Sequence, residues 1–191
     1  MTEERRKALI DDIIAGELRM FQAVHSRGGR SLCQERPESF RLMREMTHAV
    51  LSDDFLVAYA VDVRRAEEAG RNLMTEKYAL MERRIPKLST DPRIDIILNA
   101  ECAWRREVTK DFPHVVQADG QPGFRLYLGC ELQTYSGESL AAYEACVKDA
   151  QAAGRNLVRE RYEILMRQLG HNSLEECEAR LAAESSRCAD A

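Results

Sequence analysis

Aromatic residues make up only 6% of this 191-residue chain, and no basic patch is interleaved with them, so the composition of a nucleic-acid-binding surface is missing. Excess charge is small and of the wrong sign for such a partner. Twenty-eight Lys and Arg against 32 Asp and Glu leave a formal charge of −4, with both signs mixed along the chain. Non-specific contact with nucleic acid or an anionic membrane needs a basic surface, so neither partner is expected. No apolar run approaches the roughly 20 residues that span a bilayer. Cys33, Cys102, Cys130, Cys146, Cys177 and Cys188 fall in no CxxC or CxxH spacing, which reads as reduced thiols in a cytoplasmic protein. The opening MTEERRKA is too charged for a signal peptide. Walker, GxGxxG, HExxH and GxSxG motifs are all missing, so the chain is expected to use no cofactor. With five prolines, ten glycines and 45% apolar residues it reads as one ordered globular domain, residues 1–191.

What is present is repetition. At an offset of 84 the chain matches itself without a gap, most clearly where AYAVDVRRAEEAGRNLMTEKY (58–78) falls on AYEACVKDAQAAGRNLVRERY (142–162). Residues 10–85 share 22 identities with 94–169, Glu17 with Glu101 and Phe40-Arg41-Leu42 with Phe124-Arg125-Leu126 among them. Two copies of a unit this long do not make a solenoid, whose repeats run to roughly 20–50 residues. They predict a tandem duplication, two similar four-helix halves with approximate two-fold symmetry.

All patterned segments carry the helical period. Residues 3–25 align Ile10, Ile13, Ile14, Phe21 and Val24, and Asp91-Pro92 opens the equivalent helix with Ile94, Ile97, Leu98, Trp104 and Val108. Pro37 starts a second helix, and Ser52 and Ser136 cap third helices that run to Gly70 and Gly154. Asn72 and Asn156 cap fourth helices predicted to last until Pro86 and Gly170. Ser173-Leu-Glu-Glu176 is a capping box for a short final helix, 173–186. The longest irregular stretch, 109–123, exceeds a normal helix connection of about 2–8 residues and reads as functional or mobile. Fold class is therefore all-α, a helical bundle.

The GRNL boxes, the opening EL-x-MF-x-x-V-x-x-x-GGR-x-x-CQ (17–34), and FRLYLGCELQTYSGESLAAYEACV followed by GHNSLEE resemble the uncharacterised prokaryotic family of domain of unknown function 4125. The likeness covers nearly the whole chain. It departs where that family usually has Trp and this chain has Leu18, and where Asn is common and His25 stands. The resemblance implies an all-helical cytosolic protein and supplies no reaction.

Glu17 and Glu101 are the main anomaly, carboxylates set within apolar stripes. Such a group is costly to bury unless paired, and Arg41 with Arg125 or Arg71 with Arg155 are the candidate partners. A Glu–Arg seam docking the halves, a polar ligand pocket and a carboxylate metal site are the three readings. A di-iron bundle wants Glu-x-x-His twice, whereas only Glu45-Met-Thr-His48 occurs, so no metal is expected. Arg71 and Arg155 in the GRNL boxes suit either anion binding or plain capping. Tyr59 and Tyr143, like Tyr78 and Tyr162, are phenols for a ligand or a half-wet core. Gly28-Gly29-Arg30 and Cys33-Gln34 have no counterpart in the second copy, and that asymmetry nominates their loop. Candidate catalytic groups are Cys33, Glu17 and His114.

These residues point to a protein that binds a small polar or anionic metabolite between its halves, its transformation in the same site, an enzymatic role, being left open. The lining is read as Glu17, Arg30, Cys33, Gln34, Tyr59, Arg71, Glu101 and Arg155. The alternative is a non-catalytic interaction or structural module with a buried Glu/Arg seam.

Overall fold

The computed structural model describes residues 1–24 and 36–189, and all regular structure in them is helical. In chain order the helices are α1 (Glu3–Gln22), α2 (Pro37–Ala49), α3 (Asp53–Glu68), α4 (Leu73–Met81), α5 (Pro92–Asp111), α6 (Gln121–Leu132), α7 (Gly137–Ala152), α8 (Leu157–Gln168) and α9 (Leu174–Ala189). A 3-10 turn, Ala118–Gly120, leads into α6. Gly28, Gly29, Arg30, Cys33 and Gln34 lie outside the described residues. None of the described helices is long and apolar enough to cross a membrane.

Local chemistry sets the helix limits. Ser52 and Ser136 accept the N–H of Phe55 and Ser139 at 3.3 and 3.2 Å, and Asn72 and Asn156 accept those of Thr75 and Arg159 at 2.8 and 2.9 Å. Each removes one orphan donor from a first turn. The two asparagines also tie helices together, because their amides donate to the carbonyls of Met20 in α1 and Trp104 in α5. Gly70 and Gly154 end α3 and α7 in the left-handed region, with φ of 66° and 64°, and the following N–H groups reach back to Ala66 and Ala150. The final helix follows its capping box: Ser173 accepts the N–H of Glu176, and Glu176 accepts that of Asn172.

One predicted end moves. The fourth helix stops at Met81 rather than at Pro86, because Arg83 takes a φ of 56° and the N–H of Arg84 closes on the carbonyl of Ala79. Pro86 bars Ile85 from the helical region, so the chain must leave the helix early. The segment after α5 is packed rather than open. Phe112 and Val116 are buried there, and Glu178 of α9 accepts the N–H groups of His114 and Val115 and the His114 ring at Nδ1.

Packing radiates from two central helices. α1 lies against α2, α3 and α4, and α5 against α6, α7 and α8. The two sets join where α3 packs on α7, α4 on α6 and α2 on α8. At the α3–α7 crossing Phe55, Tyr59, Tyr135 and Tyr143 form an aromatic cluster with ring centroids 4.6–5.9 Å apart. This places phenol hydroxyls at the centre of the molecule, where they need polar partners.

Open space surrounds both turn glycines, so only backbone strain opposes a side chain there. Gly70→Ala and Gly154→Ala are each expected to lower stability by about 1 kcal/mol, read as a fall in the urea midpoint at unchanged slope.

Candidate functional site

Spacing puts Glu17 on the inner face of α1, seven residues after Ile10 and four before Phe21, and Glu101 on the inner face of α5. Both side chains are wholly buried. Isolated carboxylates at such depth would be untenable, and each is met by a phenol and a guanidinium.

Glu17 anchors a chain of alternating charge. Tyr59 donates to its Oε1 at 2.8 Å and Arg44 donates through Nε to Oε2 at 2.8 Å, its Nη2 closing the fork on Oε1. His48 Nε2 lies 3.1 Å from Oε2. Arg44 then spans to Glu131 of α6 at 3.0 Å, and Lys77 of α4 lies 3.1 Å from the other Glu131 oxygen. Tyr135 donates to Glu131 at 3.0 Å, and Lys77 donates to the hydroxyl of Tyr127 at 2.7 Å. Charge of one sign thus touches charge of the other from Glu17 through Arg44 and Glu131 to Lys77.

The second centre is simpler. Tyr143 donates to Glu101 Oε1 at 2.8 Å, and Arg161 of α8 forks onto the carboxylate with Nη1 at 2.5 Å and Nη2 at 2.8 Å. Arg161 also touches the Tyr143 hydroxyl at 3.0 Å.

Protonation states follow from these contacts. Burial alone would push the Glu131 carboxyl up, but Arg44 and then Lys77 outweigh it and hold it at about 2. At Glu17 burial is likewise overridden by Arg44 and His48, which keep the group well below the usual carboxylate range. Burial opposes the charge on Arg44 and Arg161, and the facing carboxylates hold both guanidiniums charged. Burial raises Tyr59, Tyr135 and Tyr143, so all three phenols stay protonated donors.

Arg44, Glu131, Tyr143 and Arg161 open on a common cleft of about 230 Å³, bounded by α2 on one side and by α5, α6, α7 and α8 on the other. Arg105 of α5 lines it too. This guanidinium is nine-tenths buried, sits over the Phe124 ring with 5.2 Å to its centroid, and donates to Tyr162 Oη at 3.1 Å and the Gln117 carbonyl at 3.4 Å. Unlike Arg44 and Arg161 it meets no carboxylate among the described residues; its Nε, like that of Arg161, has no partner among them. Around the cleft, among the described residues, buried Arg44, Lys77 and Arg161 each meet a buried carboxylate of Glu17, Glu101 or Glu131, and Arg105 meets none. Asp62, the remaining buried carboxylate among the described residues, accepts the N–H of Ser136 at the start of α7 and belongs to neither cluster.

The residues nominated from sequence divide. Glu17 with Tyr59, and Glu101, lie in the polar centres directly behind the cleft wall. Arg71 and Arg155 lie elsewhere: both guanidiniums are half-exposed and fork onto Glu76 and Glu160 at 2.7–2.9 Å, so neither partners Glu17 or Glu101. Arg41 and Arg125 are exposed as well, Arg125 donating to Asn99. His114 is exposed and paired with Glu178. Arg30, Cys33 and Gln34 lie outside the described residues. Among the described residues no group of three or more His, Cys, Asp or Glu is placed to hold a metal ion.

Arg44, Lys77, Arg105, Glu131 and Arg161 were missed. Lys77 and Arg161 carried a signal, since they occupy equivalent positions at the offset of 84 and each falls four residues after a buried Leu. A cation kept at one apolar register in both copies has the same logic as Glu17 and Glu101. Arg44, Arg105 and Glu131 match Leu128, Phe21 and Thr47, so repetition concealed them. Asymmetry, which singled out the glycine loop, applied equally to these three positions.

The family described as protein of unknown function (DUF4125) matches residues 7–179, and the chain belongs to it. No curated protein and no solved structure matches the chain.

Arg161→Met strands Glu101 in the core and is expected to cost about 3–5 kcal/mol, whereas Arg71→Ala at the surface should change stability by less than about 1 kcal/mol; urea melts of the two variants check the contrast. Acid should act through Glu131. Its folded value of about 2 lies below the ordinary 4.5, so its stabilisation is full above 4.5 and is lost as pH falls from there towards 2, the unfolded chain binding the proton first. Glu17 shifts in the same direction. The urea midpoint should fall between pH 5 and pH 3, and fall less in Glu131→Gln.

Proposed function

We propose that this member of the DUF4125 family is a binding protein for a small anionic metabolite, held in the cleft between α2 and α5–α8. One observation carries the reading, the buried guanidinium of Arg105 with no carboxylate beside it among the described residues. A seam with a purely structural role would pair this charge as it pairs Arg44 and Arg161, because a lone buried cation costs several kcal/mol. An anion in the cleft supplies the missing partner. It would meet Arg105 beside the Tyr162 hydroxyl and leave the Glu17 and Glu101 centres undisturbed behind the wall.

The architecture is taken, on the same reading, as a single cytoplasmic domain built by tandem duplication of 10–85 into 94–169, with approximate two-fold symmetry. Helix pairing supports it: α4 on α6 and α2 on α8 are the same contact with the copies exchanged, as α3 on α7 is with itself. Equivalent cap bonds at Ser52 and Ser136, and at Asn72 and Asn156, point the same way. The cleft lies on the α2–α8 side. On the α4–α6 side Lys77, Tyr127 and Glu131 meet one another instead.

A thermal-shift screen of anionic metabolites checks the binding reading, since a ligand at about 100 times its dissociation constant adds about 2.7 kcal/mol. Hits should stabilise the parent protein and lose their effect on folded Arg105→Gln. Hits that stabilise both proteins equally would move the site elsewhere, and no hit at all would favour the structural or interaction module.

A further inference from the structure

The cleft bounds the class of its ligand by charge, by donors and by volume. Resting on the binding reading above, we infer that the ligand is a monocarboxylic acid with a compact apolar or aromatic body, its carboxylate at Arg105 and its body against Phe124, Leu128 and Val158.

Charge comes first. Among the described residues Arg105 is the buried guanidinium of the cleft that no carboxylate meets, so a single negative charge supplies its partner. A phosphate monoester, close to minus two at neutral pH, would leave a buried negative charge uncompensated beside Glu131. Donors agree. Arg105 and Arg161 both line the cleft, each with a buried Nε that has no partner among the described residues, and Tyr162 presents a hydroxyl already bonded to Arg105. A carboxylate offers two oxygens and matches planar guanidinium donors. The rest of the wall offers little to a polar body. Met43, Met46, Phe124, Leu128 and Val158 line it with apolar atoms. Volume then sets the size: a cavity of about 150 Å³ holds a benzene ring, and about 230 Å³ adds room for a carboxylate and one or two further carbons. Nucleotides are too large for that space, and sugar phosphates too highly charged.

Isothermal titration of the full chain at pH 7.5 with three probes of one shape tests this: phenylacetate, its neutral amide phenylacetamide, and phenyl phosphate. Phenylacetate should bind at least about tenfold more tightly than either of the others, a gap of about 1.4 kcal/mol, and folded Arg105→Gln should lose that preference. Tighter binding of phenyl phosphate would overturn the carboxylate class and leave an anion site standing. Equal binding of the amide would overturn both, since charge would not be read. Failure of all three probes, while hits from the metabolite screen still act through Arg105, would overturn the ligand class alone. Phenylacetate binding unchanged in Arg105→Gln would also overturn the assignment. The ranking on the parent protein decides the first two outcomes even if the variant does not fold.

Discussion

Two carboxylates buried in helices that otherwise face an apolar core constrain everything packed around them. Glu17 and Glu101 cannot stay charged at zero exposure without donors of fixed geometry, and those donors come from neighbouring helices. Tyr59 therefore sets how α3 lies on α1, and Tyr143 sets how α7 lies on α5. The same two phenols belong to the aromatic cluster at the α3–α7 crossing, so the polar centres and the join between the helix sets are one piece of structure.

The equivalent carboxylates are neutralised from different places. Glu101 takes its cation from α8, at the position that matches Lys77. Glu17 takes Arg44 from α2, and Lys77 turns instead to Glu131 on α6. This exchange draws α2, α4 and α6 into one network, whereas the second centre needs only α5, α7 and α8. The cleft forms where the two arrangements meet, with Arg44 on one wall and Arg161 on another. The one-sided position of the cleft thus comes from unequal charge pairing of the two carboxylates.

Burying so many ionic groups is a poor route to stability, since well-packed apolar residues of similar volume often do as well or better. The paired centres are intelligible as devices that fix helix register. Arg105 is not covered by that explanation, because nothing among the described residues neutralises it, and the proposal of a binding cleft rests on this residue.

How much was legible in the chain depended on the range of the interaction. Helix class, the capping serines and asparagines, the turn glycines and the final capping box are local, set by the chemistry of a few adjacent residues, and could be read directly. So could the inward position of Glu17 and Glu101, because helical period alone puts them in the stripe. The partner of each carboxylate could not. Arg41, Arg71, Arg125 and Arg155 repeat, but Arg71 and Arg155 had an acid five residues away, and a local fork satisfied them at the surface. Arg44 and Arg161 stand 27 and 60 residues from the carboxylates they meet, and nothing in their neighbourhood names that partner. Sequence by itself determined that Glu17 and Glu101 are buried and need neutralising; the tertiary structure decided which distant charges do so, and left Arg105 over, because only the packing of α2 against α8 brings those side chains to one cleft.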